Sequence, residues 1–136
     1  MGFRRVLRER YPQIGMTEIS EGHGTDAATG TLAARAIAAD PAINAVYSIG
    51  GGNQAVLAAF EAAKRPIRVF VAHDLDADNR ALLADRKIGF VLHHDLRTDA
   101  RSAFRAVMGR SVRGGIAPPA LSSLEIVTPY NMPATD

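Results

Sequence analysis

Ala45-Val46-Tyr47-Ser48-Ile49-Gly50-Gly51-Gly52-Asn53 is a short, mainly apolar run that stops abruptly in three glycines and an asparagine. A run of this length bounded by turn residues reads as a buried strand. A helix follows from about Asn53 to Lys64, with Val56, Leu57 and Phe60 at the spacing of an inward face. Ile67 to Ala72 is a second apolar strand, ending in His73-Asp74. Strands separated by helices of ten or so residues pair in parallel, because the crossover helix carries the chain back to the same starting end.

The same alternation extends in both directions. Upstream, Phe3, Val6 and Leu7 fall on a helix over residues 2–10, ended by Tyr11-Pro12. Residues 16–20 alternate as a strand and lead into Glu21-Gly22-His23-Gly24. Thr25 or Asp26 caps a helix through Ala39, with Leu32, Ala36 and Ile37 inward, and Asp40-Pro41 stops it. Downstream, Asp76 or Asp78 opens a helix to about Arg86, and Lys87 to Leu92 form a strand ending in His93-His94-Asp95. A long helix covers about Thr98 to Val112, with Ala103, Phe104, Val107 and Met108 expected inward. Gly114-Gly115 and Pro118-Pro119 form a connector to a last strand, Ser123 to Thr128. The expected fold is α/β, a three-layer αβα arrangement around a mostly parallel sheet. Residues 1–113 read as one lobe. Residues 114–136 read as connector, last strand and tail, with a course into a neighbouring lobe open to them.

The 136 residues are enough for one domain with a real core, and the 47% hydrophobic and 22% charged shares are ordinary for a globular protein. No cysteine is present, which excludes disulfides and thiolate chemistry. The net charge of +2 is spread along the chain. Arg4, Arg5, Arg8 and Arg10 alternate with apolar residues, as on the solvated face of a helix rather than a nucleic-acid stripe. Neither a signal peptide nor an apolar run long enough to span a bilayer is seen, so a cytoplasmic protein without membrane contact is expected.

All four histidines fall at or just beyond the carboxyl ends of expected strands: His23, His73, His93 and His94. Asp74, Asp95 and the Gly50–Asn53 loop share that edge, where open α/β sheets bind ligands. Glycines such as Gly52 let backbone approach a ligand, and Asn53 caps or contacts. The loop lacks the Gly-Lys-Ser/Thr of a phosphate loop and the spacing of a dinucleotide fingerprint. Asp74 is suited to accepting two hydroxyl hydrogen bonds, the way proteins hold sugar diols, against the plainer role of helix cap. Of His93 and His94, one faces the cleft and the other faces away, because successive strand residues alternate. His23 is a weaker candidate on its Gly-rich loop. No His-x-His or His-Glu-x-x-His pair is present, so neither metal nor other cofactor is expected. Without a cysteine or a Gly-x-Ser-x-Gly elbow, catalysis is not expected either.

Several segments, in order and over nearly the whole chain, resemble the C-terminal subdomain of LacI-type (lactose-repressor-like) transcription regulators. Gly2-Phe3-Arg4-Arg5-Val6-Leu7 resembles the helix after that subdomain's first strand, and Ala45 to Asn53 its strand and ligand loop. Val69-Phe70-Val71-Ala72-His73-Asp74 resembles the strand ending in the ligand-binding aspartate. Phe90-Val91-Leu92-His93-His94-Asp95 resembles the strand after which a glutamine often sits, with His94 in its place; Leu124 to Thr128 and Tyr130-Asn131-Met132-Pro133 resemble the closing strand and tail. The resemblance implies one lobe of a type I periplasmic-binding-protein-like effector domain. Asp74, Asn53, His94, Gly52 and His23 would be its ligand residues, a sugar-like effector its ligand, and a homodimer its state. It implies that DNA is met only through an N-terminal domain absent from this chain. Gly52 and His94 depart from the commoner Asn and Gln, which bears on which ligand is held. Periplasmic sugar-binding transport receptors share the fold and supply the alternative reading.

Overall fold

The computed structural model describes residues 2–20, 25–113 and 122–134. In chain order the elements are α1 (Gly2–Arg10), α2 (Asp26–Ala39), β1 (Ala45–Ser48), α3 (Asn53–Ala62), β2 (Val69–His73), α4 (Ala77–Ala84), β3 (Phe90–His94), α5 (Leu96–Arg113) and β4 (Leu124–Val127). The four strands form one sheet in the order β1-β2-β3-β4. β1, β2 and β3 run parallel, with Tyr47 beside Val71 and Val71 beside Phe90. The last strand does not leave the sheet: β4 pairs antiparallel with β3, Leu92 opposite Ile126. The fold is therefore α/β with a mostly parallel, mixed sheet.

One face of this sheet makes the core. Phe70, Ala72, Val91 and Val127 alternate onto it and are 2%, 0%, 0% and 1% exposed. Ala33 and Ile37 of α2, Val56 and Phe60 of α3 and Leu83 of α4 complete the same cluster. α2 and α3 lie close because Gly30 has no side chain: a Cβ there would sit 3.1 Å from that of Ala55. The alternation that buries these residues sends Tyr47, Val71, His73, Leu92 and His94 to the opposite face. There α1 is held by the Phe3 ring, stacked on Tyr47 at a centroid distance of 4.1 Å.

Two expectations are corrected. Residues 16–20 join no ladder among the described residues, and Met16 and Ile19 stay exposed. A strand needs a neighbour to satisfy its backbone, and β1 is paired on its β2 side alone. Glu18 of this segment instead pairs with Arg4. Secondly, Phe104 and Val107 of α5, expected inward, are each 65% exposed. Half-buried Asp99, Ser102 and Ala106 take the inner side of that helix. The connector over residues 114–121 lies outside the described residues.

Leu83 has no exposed surface and sits at the centre of the cluster. Leu83→Ala should lower unfolding stability by about 2–5 kcal/mol, read from urea denaturation midpoints at unchanged m-value.

Candidate functional site

Parallel strands place every strand-to-helix loop at one end of the sheet. The loops after β1, β2 and β3 therefore share one rim, and the sequence-expected residues among those described fall on or just behind it.

Gly52 is the residue before α3 and adopts a left-handed backbone, φ +83°. A side chain there is excluded twice. Left-handed backbone disfavours L residues, and a Cβ would lie 2.7 Å from the Cβ of Thr29. The glycine thus brings the loop against α2 and turns the chain into α3.

Asn53 begins that helix and was expected to touch ligand, but it lies behind the rim. It is 3% exposed, and its Nδ2 donates to Asn79 Oδ1 at 2.7 Å. Asn79, 2% exposed, is the member of this cluster that the sequence did not single out. Its Nδ2 donates to two consecutive carbonyls, His73 at 2.9 Å and Asp74 at 2.8 Å. Its backbone N–H donates to Asp76 Oδ1 at 2.7 Å, which is the N-cap bond of α4. These donations fix the orientation of the Asn79 amide, and hence that of Asn53. Asn53 Oδ1 is left buried without a partner. Gln54 Nε2 adds a second tie between α3 and α4, donating to Asp78 Oδ1 at 3.2 Å. The signal in the sequence was faint: an asparagine in the first turn of a helix looks like any surface polar residue.

Asp74 lies on the rim and is exposed, with φ +61°. A non-glycine residue there costs about 1–2 kcal/mol, and aspartate is among the residues that tolerate it best. Its N–H donates to Leu92 O at 2.8 Å, extending the β2–β3 ladder by one residue. Its carboxylate makes no hydrogen bond or ion pair with a described residue. Backbone bound and carboxylate free is the arrangement expected of a group presented to a partner.

The two adjacent histidines diverge, as strand alternation requires. His93 lies on the core face, and its Nδ1 accepts the N–H of Leu75 at 3.3 Å, so it supports the Asp74 loop. His94 lies on the other face beside Ser122, its Nδ1 3.2 Å from Ser122 Oγ, and Ser122 donates to Asp99 Oδ2 at 2.6 Å. The structure therefore brings Gly52, Asn53 and Asp74 into one cluster through Asn79, and brings His93 rather than His94 against it. His73 shares the His94 face, with Nε2 2.7 Å from the Tyr47 hydroxyl. His23 lies outside the described residues. Asp95, also on the rim, caps α5: it accepts the Thr98 hydroxyl at 2.6 Å and the Thr98 N–H at 3.0 Å. Those bonds, the hydroxyl's first, hold its carboxyl below the ordinary aspartate range. Among the described residues no group of three or more His, Asp or Glu is placed to hold a metal ion. No described helix is long and apolar enough to cross a membrane.

Two shallow concavities lie elsewhere. One is lined by Ala34, Ile37, Pro41, Ala59 and Arg65, the other by Ile67 to Phe70 and Arg86 to Phe90. Both sit where the helices end and the strands begin, opposite the rim. Neither is lined by Gly52, Asp74 or another rim residue.

No protein-family model and no curated protein matches this chain. Solved structures do match, and they define the class of fold. GanP, a glucose-galactose binding protein from Geobacillus stearothermophilus, superposes with a TM-score of 0.84 at 18% identity over 98% of this chain. AraP, an arabinose binding protein from the same organism, gives 0.75 at 17% identity over 96%. A sugar ABC transporter sugar-binding protein from Bacillus halodurans gives 0.72 at 20% identity over 96%. The chain thus has the fold of one lobe of these binding proteins. It spans about half their length: 48%, 48% and 49% respectively.

Gly52→Ala should lower the melting temperature by several degrees, equivalent to at least about 1 kcal/mol, since it meets both the φ penalty and Thr29. Adding Thr29→Ala should recover part of that loss, because only the steric share is relieved; differential scanning calorimetry of the two variants, the Thr29→Ala single variant and the unmodified protein separates the two.

Proposed function

We propose that this chain is one half of a sugar-binding unit, holding a small polyhydroxylated ligand at the rim against a second lobe. The observation that carries the reading is Asp74: an exposed carboxylate, unpaired among the described residues, on a backbone bound at every neighbouring polar group. Such a carboxylate accepts two hydroxyl hydrogen bonds from a sugar diol, each stronger for the charge on the acceptor. The chain's match to about half the length of its structural neighbours fits a half-site, since a ligand pocket normally encloses most of its ligand. The similarity to binding proteins for glucose and galactose, for arabinose and for an ABC transporter's sugar supports the same ligand class. Binding and release, not bond chemistry, is the role that follows.

The structural neighbours favour a transport receptor as the context of this half-unit. The LacI-type regulator is the second reading, favoured by the ordered segment resemblances and above all by the Leu124–Thr128 strand with its Asn131-Met132-Pro133 tail. In either context, ligand that prefers one arrangement of two lobes shifts the population toward it. Gly52 would then bear on the ligand through its backbone alone, since Thr29 fills the place of a side chain, and His94 stands with Ser122 on the other sheet face.

We also infer self-association through the outer face of α5 and the neighbouring sheet face. Phe104, Val107, Leu124 and Ile126 are 65%, 65%, 52% and 58% exposed, large apolar side chains left to water on α5 and β4. Sedimentation velocity should show a dimer that Phe104→Glu converts to monomer; a monomer at micromolar concentration in the unmodified protein defeats this inference.

Calorimetric titration with neutral monosaccharides, glucose, galactose and arabinose first, tests the binding role. At least one should bind, and Asp74→Ala should weaken it at least tenfold, the loss expected for hydrogen bonds to a charged group. Unchanged affinity in Asp74→Ala removes the proposed site.

A further inference from the structure

We propose that Asn79, backed by Asn53, is a positioning residue that fixes the left-handed backbone of Asp74, and with it the direction in which the carboxylate leaves the rim. The use of that carboxylate for a sugar rests on the function proposed above; the positioning does not.

The direction of a side chain at Cβ follows from φ and ψ of its own residue, that is, from how the peptide planes before and after it are turned relative to one another. At Asp74 both planes are held. The plane before it is bound by the Asp74 N–H to Leu92 O at 2.8 Å and by Asn79 Nδ2 to His73 O at 2.9 Å. The plane after it is bound by Asn79 Nδ2 to Asp74 O at 2.8 Å and by the Leu75 N–H to His93 Nδ1 at 3.3 Å. Asn79 alone touches both. In a strand, consecutive carbonyls point to opposite sides, so one amide nitrogen cannot reach two in succession. The chain must turn between them, and φ +61° at Asp74 is that turn.

The clamp is itself held. Asn79 is 2% exposed, its Oδ1 accepts from Asn53 Nδ2 at 2.7 Å, and its N–H is bound to Asp76. Asn53 satisfies Asn79 at the expense of its own Oδ1, which has no partner. An asparagine pair retained in the core with one acceptor unsatisfied is a costly way to join two helices, since apolar side chains would do so without that loss. The arrangement is accounted for when its product is the geometry of residue 74. Neither Gln54–Asp78 nor the Asp76 cap acts on that backbone.

The test uses backbone chemical shifts and amide exchange in the whole chain, with no sugar present. Asp74 should show the shift pattern of positive φ, and in Asn79→Ala it should lose that pattern or split into two forms. Exchange at Asp74 and Leu75 should quicken at least tenfold, while amides of the β1–β2 ladder keep their protection. Asn79→Asp, which keeps the size and removes the donor, should do the same. If Asn79→Ala does not fold, Asn79→Ser and Asn53→Ala are read by the same criterion. A folded variant whose residue 74 retains positive φ and slow exchange overturns the proposal, even with a lowered melting temperature, because that result leaves Asn79 as ordinary core. So does a wild-type Asp74 without the positive-φ pattern. Failure of every monosaccharide to bind would strike the sugar reading and leave this result standing.

Discussion

Strands that run the same way must be joined by a return over the sheet, and this constraint on β1, β2 and β3 governs the rest of the molecule. It sets the loops after β1, β2 and β3 at one end, next to the first turns of α3, α4 and α5. Helix starts leave N–H groups unsatisfied, and the chain meets that demand locally, with Asp76 before α4 and Asp95 before α5. At α3 it does so differently. A left-handed glycine makes the entry, and the first side chain of the helix turns inward to Asn79 instead of outward to solvent. Of the two acids that directly follow β2 and β3, Asp95 is thus consumed by a cap and Asp74 is not.

That division matters because Asp, Asn and His are chemically able to do either job. A carboxylate at a strand end that accepts a helix N–H is occupied, as Asp95 shows with both of its oxygens bound to Thr98. Asp74 has the same place in the pattern one strand earlier in the chain's rhythm of strand and helix, yet the cap there falls to Asp76. Two residues of displacement release Asp74 from structural duty. The left-handed turn at Asp74 is what makes room for this, and the buried Asn53–Asn79 pair is adjacent to it for the same reason.

The molecule is asymmetric across its sheet. One face is closed by α2, α3 and α4 around Phe70, Ala72 and Val91; the other carries Val69 and Phe90 at 46% and 44% exposure, with β4 adding Leu124 and Ile126. α1 touches that second face through one stacked ring pair. A sheet apolar on both faces calls for cover on both.

Much of this was legible in the linear order of residues. Apolar runs of four or five residues, broken by Gly, Pro and Asp, mark β1 to β4 to within about three residues, and Val56, Phe60 and Leu83 fall inward as their helical spacing requires. Parallel pairing follows from helix length between strands, and the shared rim follows from parallel pairing. Three things lay beyond it. The 16–20 segment alternates like a strand, but pairing depends on a neighbour that alternation does not reveal. Phe104 and Val107 have the spacing of an inner face, but which side of α5 meets the sheet is decided by how the helix is laid down. Asp74, Asn53 and His94 are all strand-end polar residues by sequence, and only the fold separates them. A hydrogen bond between Asn53 and Asn79 spans twenty-six positions, and no local pattern encodes it. Period and punctuation in the chain determine the elements and the end at which they present their loops, because those depend on near neighbours. Which polar group is left free at that end is decided in three dimensions, because it depends on what its neighbours from distant segments have already bound.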